Sequence, residues 1–109
     1  MTIAYKVLGQ IISVANTATT VYTVPSVTQT VVSTITVCNQ ASTPGSFSIA
    51  IRPGGTSLAP KHYVNYNTVV PGNDTVSLTL GITLGNTDVI TANANTSTIS
   101  FNVFGSEIY

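Results

Sequence analysis

Apolar and polar residues alternate with a period of two along most of this chain, and turn-forming residues separate the alternating stretches. Phe47, Ile49 and Ile51 alternate with Ser46, Ser48 and Ala50, and Pro53, Gly54 and Gly55 close that stretch. After the turn signal of Pro71, Gly72, Asn73 and Asp74, Val76, Leu78, Leu80 and Ile82 alternate with Thr75, Ser77, Thr79, Gly81 and Thr83. Ile99, Phe101 and Val103 alternate with Thr98, Ser100, Asn102 and Phe104. Segment 31–38 places Val31, Ser33, Ile35 and Val37 on one face and Val32, Thr34, Thr36 and Cys38 on the other. Segments 11–14, 21–24, 62–69 and 88–92 are weaker, and residues 1–9 read as an N-terminal arm or an edge strand.

About seven to nine short strands at intervals of roughly ten residues predict an all-β fold, a single antiparallel β-sandwich spanning residues 1–109. Each strong segment has one apolar face and one hydroxyl-rich face, so two sheets can bury their apolar faces against each other. Leu80 and Phe101 are expected in that core, and Thr79 outside it. The succession from 30 to 104 fits an immunoglobulin-like domain, and a jelly roll uses a similar number of strands, so spacing leaves both open. Thr, Val and Ile number 19, 14 and 10. Their branched side chains suit a pleated sheet and disfavour helix.

Charge changes the picture most. Lys6, Arg52, Lys61, Asp74, Asp88 and Glu107 are the only Asp, Glu, Lys and Arg residues, 6% of the chain, and the net charge is zero. An ordinary domain is about 25% charged. Three scattered basic residues cannot neutralise a phosphate track, so nucleic acid is disfavoured as a partner, and anionic membrane surfaces with it. A near-neutral surface rich in Thr, Ser, Asn and Gln is poorly protected against self-association. A homo-oligomer is therefore expected. The N-terminal residues do not read as a signal peptide, and no apolar run reaches membrane-spanning length.

The residues offer little for catalysis, and no catalytic residue, cofactor site or metal site is assigned. His62 is the only histidine, and no nucleophile elbow accompanies the serines. One His and one Cys cannot build a zinc cage. Asp74 and Asp88 read as turn residues that bond their own backbone rather than as calcium ligands. Cys38, in a strand, reads as a packed thiol. The one polar-aromatic cluster runs from Lys61 to Asn67. There Tyr63, Asn65, Tyr66 and Asn67 are the candidate partner-binding residues, because tyrosine rings and amides serve binding surfaces well. As a regular strand it would turn Tyr63, Asn65 and Asn67 one way and His62, Val64 and Tyr66 the other.

Several stretches together resemble a family of small virion structural proteins of tailed bacteriophages, especially marine and cyanobacterial ones. They are Val21-Tyr-Thr-Val-Pro25, Val32-Ser-Thr-Ile-Thr-Val-Cys-Asn39, Ile49-Ala-Ile-Arg-Pro-Gly54, Lys61-His-Tyr63, Asn73-Asp-Thr75, Leu80-Gly-Ile-Thr-Leu84 and Ser100-Phe-Asn-Val-Phe-Gly-Ser-Glu-Ile108. The resemblance implies a virion component assembled in the host cytoplasm. Its first reading is a capsid decoration (cement) protein that contacts the major capsid protein and copies of itself. The rival is a tail-fibre or baseplate component contacting host-surface glycans. It carries over no active-site residue.

Overall fold

The computed structural model describes residues 1–109. Nine strands follow one another: β1 (Ile3–Ile12), β2 (Thr19–Thr23), β3 (Gln29–Asn39), β4 (Gly45–Arg52), β5 (Tyr63–Val70), β6 (Thr75–Leu78), β7 (Ile82–Leu84), β8 (Val89–Ala94) and β9 (Ile99–Ile108). Two three-residue 3-10 turns, Pro53–Gly55 and Pro60–His62, are the only helical segments. All pairings are antiparallel, in two sheets ordered β1-β9-β3-β6, with β7 also on β3, and β2-β8-β4-β5.

That order settles the topology. Taking β6 and β7 as one interrupted strand leaves eight, paired first to last inward: β1 with β9, β2 with β8, β3 with β6/β7, β4 with β5. A long antiparallel hairpin folded over on itself gives these pairs, and the result is a double-sheet jelly roll. The immunoglobulin-like alternative is thereby corrected.

The inward positions of both sheets form one core. Phe47, Ile49, Ile90, Ile35, Val37, Ile99, Phe101 and Val103 belong to it and are each almost fully buried. Phe47 of one sheet meets Phe101 of the other edge to face, with ring centroids 6.0 Å apart. Burying side chains of this size contributes about 1.5–3 kcal/mol each. Buried Asn39 organises the loop after β3: its Nδ2 donates to Thr43 O at 2.9 Å, and its Oδ1 accepts from Ala41 N–H at 3.1 Å.

Bulges explain where strict alternation misplaces side chains. In β3 the register shifts between Val32 and Thr34, so the inward set is Thr30, Val32, Ile35 and Val37, and Val31 faces out. The expected faces of 31–38 therefore hold only beyond the bulge. The stretch 75–83 is not one strand either: Gly81 at φ 66° breaks it into β6 and β7. Leu80, expected in the core, falls in that break and is 48% exposed, whereas Phe101 is 1% exposed as expected. Segments 3–9 and 11–14 are replaced by one edge strand, β1, with a bulge between Val7 and Gly9. Residues 3–9 are thus laddered to β9 and form no free arm. Gly9 is required there, because a Cβ would lie 2.2 Å from Val21 O.

Candidate functional site

The lone histidine sits in the turn that leads into the candidate cluster. Pro60 starts the 3-10 turn Pro60–His62. His62 N–H donates to Ala59 O, and His62 Nδ1 accepts the Ala59 N–H, both at 3.0 Å. The imidazole is buried. Its Nδ1 is thus spent on closing the turn.

β5 follows as an edge strand with two register shifts against β4. The irregularity brings Tyr63 and Tyr66 together, with ring centroids 4.9 Å apart in an edge-to-face contact. The two do not stand on opposite faces, as regular alternation would place them. With Leu58, Ala59 and Pro60 they line an open depression of about 610 Å³. Asn65 instead pairs with inward-facing Ile49, and its Oδ1 is buried without a hydrogen-bond partner. Asn67, at φ 48°, donates its N–H to Ser48 Oγ at 2.9 Å. It lines a separate small hollow with Asn16, Ser46, Ser48, Asn93 and Asn95. The four candidates therefore divide. Tyr63 and Tyr66 share one surface, Asn65 faces the sandwich interior, and Asn67 belongs to an amide-rich patch. Two crossed tyrosine rings beside proline and leucine offer apolar faces and hydroxyls to an uncharged ligand or a neighbouring side chain.

A second polar constellation lies between the sheets. Tyr22 of β2 donates its hydroxyl proton to Glu107 Oε2 at 2.6 Å, and the same hydroxyl lies 2.7 Å from Thr30 Oγ1 of β3. Lys6 Nζ of β1 lies 2.8 Å from Glu107 Oε1. Tyr22, Thr30 and Glu107 are buried. The hydrogen bonds from Lys6 first, then from Tyr22, hold the Glu107 carboxyl below its ordinary value. Burial first, then the bond to Glu107, pushes the Tyr22 phenol up to about 12. The Lys6 ammonium is raised by the same carboxylate. This group ties four strands together, and the sequence held a signal for it. Extending the inward series Ile99, Phe101, Val103 by two residues at a time reaches Glu107.

The other acids close loops. Asp88 accepts the N–H groups of Gly54 and Gly85, both at 2.8 Å, and Asp74 accepts the Thr75 N–H at 2.8 Å. No group of three His, Cys, Asp or Glu side chains is placed to hold a metal ion.

The outer face of the β1-β9-β3-β6 sheet is uncharged throughout. Its cross-strand rows read Ile12, Ser100, Cys38, Thr75; Gln10, Asn102, Thr36, Ser77; Val7, Phe104, Thr34; and Tyr5, Ser106, Val31, Thr83. Lys6 and Glu107, the two charged residues of these strands, both turn inward to each other.

Fold and surface together define a small jelly-roll domain with one broad neutral face and one aromatic depression. No protein-family model matches the chain, and no curated protein does. Among solved structures it is similar to a pentameric capsid protein isolated from metagenomic phage sequences, at 19% identity and a TM-score of 0.34. That match covers 91% of this chain, which spans 61% of the capsid protein's length.

Proposed function

We propose that the chain is a bacteriophage virion structural protein that decorates the capsid, binding the outside of the major capsid protein lattice, with no catalytic role. The observation that carries this reading is the neutral outer face of the β1-β9-β3-β6 sheet. Hydroxyls and amides are interspersed there with apolar side chains, and no ionised group stands among them. Such a face suits a shape-matched contact made through apolar burial and hydrogen bonds. The domain measures 45 × 27 × 19 Å along its principal axes. Its broad side can supply the roughly 800 Å² per partner of a stable interface. The sequence resemblance to small phage virion proteins supports the same role.

Attachment by a neutral face varies little with salt, because little screening applies and few ions are released. Purified protein is mixed with undecorated capsids at about 50 and 500 mM salt, and bound copies are counted. Near-equal occupancy is the expected result. A second reading, a tail-fibre or baseplate component for host-surface glycans, is favoured by the Tyr63–Tyr66 depression alone. Absence of capsid binding at both salts, with cosedimentation on host envelopes that Tyr66→Ala abolishes, would establish that reading in place of the first.

A further inference from the structure

An open sheet edge presents unpaired N–H and C=O groups, and folded proteins blunt such edges with short strands, bulges, proline or charge. Three of the four edges here are blunted. β2 has five residues and a register shift between Thr20 and Tyr22. β6 and β7 have four and three residues, and β5 carries two shifts and the left-handed Asn67. β1 differs. It runs for ten residues, and the stretch Ile3–Val7 before its bulge has no proline and no register shift. Its only charge, the half-exposed Lys6, is taken up in an ion pair with Glu107 at 2.8 Å.

The ladder identifies the free groups. Thr2 and Tyr109 exchange both backbone hydrogen bonds, each N–H donating to the other's carbonyl. Bonded and non-bonded pairs alternate along an antiparallel ladder. Ile3–Ile108, Tyr5–Ser106 and Val7–Phe104 are therefore the non-bonded pairs. The N–H and C=O groups of Ile3, Tyr5 and Val7 point away from β9, and no other strand pairs with β1. The same three side chains are 46%, 84% and 47% exposed on the outer face.

We propose that this edge docks against the same edge of a second copy of the chain, β1 antiparallel to β1 about a two-fold axis at Tyr5. Two β1-β9-β3-β6 sheets then become one. The occupant must be an extended strand with free edge groups at every second residue and no like charge opposite Lys6, and β1 itself meets that description. In this register Tyr5 lies opposite its counterpart and Ile3 opposite the partner's Val7, giving about six backbone hydrogen bonds. Lys6 falls opposite the second copy's Ala4, so the symmetry sets no like charges face to face. The inference deepens the self-contact in the reading above, and its test needs no capsid.

An edge pairing of this length makes a small interface, below roughly 1,200 Å², so sedimentation equilibrium is run at about 200 µM protein. The expected mass is twice the 11.3 kDa of one chain. Tyr5→Lys places two ammonium groups across the axis. Tyr5→Pro removes an outward N–H at an edge position where proline is tolerated. Both should sediment at 11.3 kDa with unchanged far-UV circular dichroism. In a Cys38→Ser background, Tyr5→Cys should form an intermolecular disulfide under mild oxidation, because the paired Cα atoms would lie ~5.5 Å apart. A wild-type protein that stays monomeric overturns the proposal. So does an oligomer that survives Tyr5→Lys, or a Tyr5→Cys variant that does not cross-link. Were Tyr5→Pro to misfold, the Lys and Cys variants would decide. A dimer that fails to bind capsids would instead count against the decoration reading alone.

Discussion

Replacing Tyr22 by Phe removes one oxygen from the centre of the cluster between the sheets. The ring and its packing stay, so the change isolates the hydroxyl. It leaves Glu107 Oε2 and Thr30 Oγ1 buried without the partner each has at 2.6 and 2.7 Å. A hydrogen bond to a charged group contributes about 1.5–3 kcal/mol, so a loss near 2 kcal/mol is expected at pH 7. With an unfolding entropy of roughly 2.1 cal/mol/K per residue, that is a fall in Tm of about 9 °C for a chain of this length. The pH dependence follows from the shifted groups. Glu107 titrates below its ordinary 4.5 when folded, so its contribution is present above that value and is lost as pH falls through the folded pKa. The protonated acid forms a weaker, neutral bond, and the gap between Tyr22→Phe and wild type should shrink in acid. At the other extreme, the phenol is raised from 10.0 to about 12. Its contribution is therefore complete below pH 10 and is lost as pH rises through about 12. Thermal melts across acid pH, together with absorbance titration of the tyrosines in base, measure both. A Tyr22→Phe loss below about 0.5 kcal/mol, or one independent of pH in acid, would refute the reasoning.

The remaining predictions concern the core and the loops. Phe101→Ala should cost about 3–5 kcal/mol in denaturant melts. Leu80→Ala, at a half-exposed site, should cost under about 1 kcal/mol; equal losses would contradict the break at Gly81. Val27 holds a left-handed φ of 55° while 86% exposed. That is costly for a β-branched side chain, so Val27→Asn should stabilise the fold by about 1 kcal/mol, and no gain in Tm would show that the backbone there is unstrained.

Much of the sandwich was legible because period-two alternation reports directly on which face of a sheet is buried. It places Phe47, Ile49, Phe101 and Val103 correctly. It fails where a single residue interrupts the ladder. The bulge at Ser33 exchanges the faces on either side of it, and Gly81 ends a strand that the apolar rhythm would carry on. Neither event alters the pattern of residue types. The contact of Tyr63 with Tyr66 is hidden for the same reason, since three residues of separation in a regular strand put side chains on opposite faces. Strand order was not legible at all, because spacing records how many strands exist and not which of them meet. The Glu107 cluster was within reach, but a carboxylate near the end of a chain reads as solvated unless the inward series is followed to it.

The nested pairing of the strands also orders events during folding. β4 and β5 are neighbours in sequence, joined by residues 53–62, whereas Ile3 meets Ile108 across nearly the whole chain. Each inner pair, once made, shortens the effective loop that the next pair must close. The hairpin can therefore zip outward from the β4–β5 end, and β1 must wait longest for its partner. On a ribosome, β1 and β3 would emerge well before β9, the strand that lies between them. A chain halted before β9 would have no way to join those two strands, and the nascent protein would present unpaired apolar strands until β9 emerges. Topologies dominated by such distant pairings fold slowly, in milliseconds to seconds. During synthesis, the interval before β9 appears is the one in which this sequence most needs a chaperone.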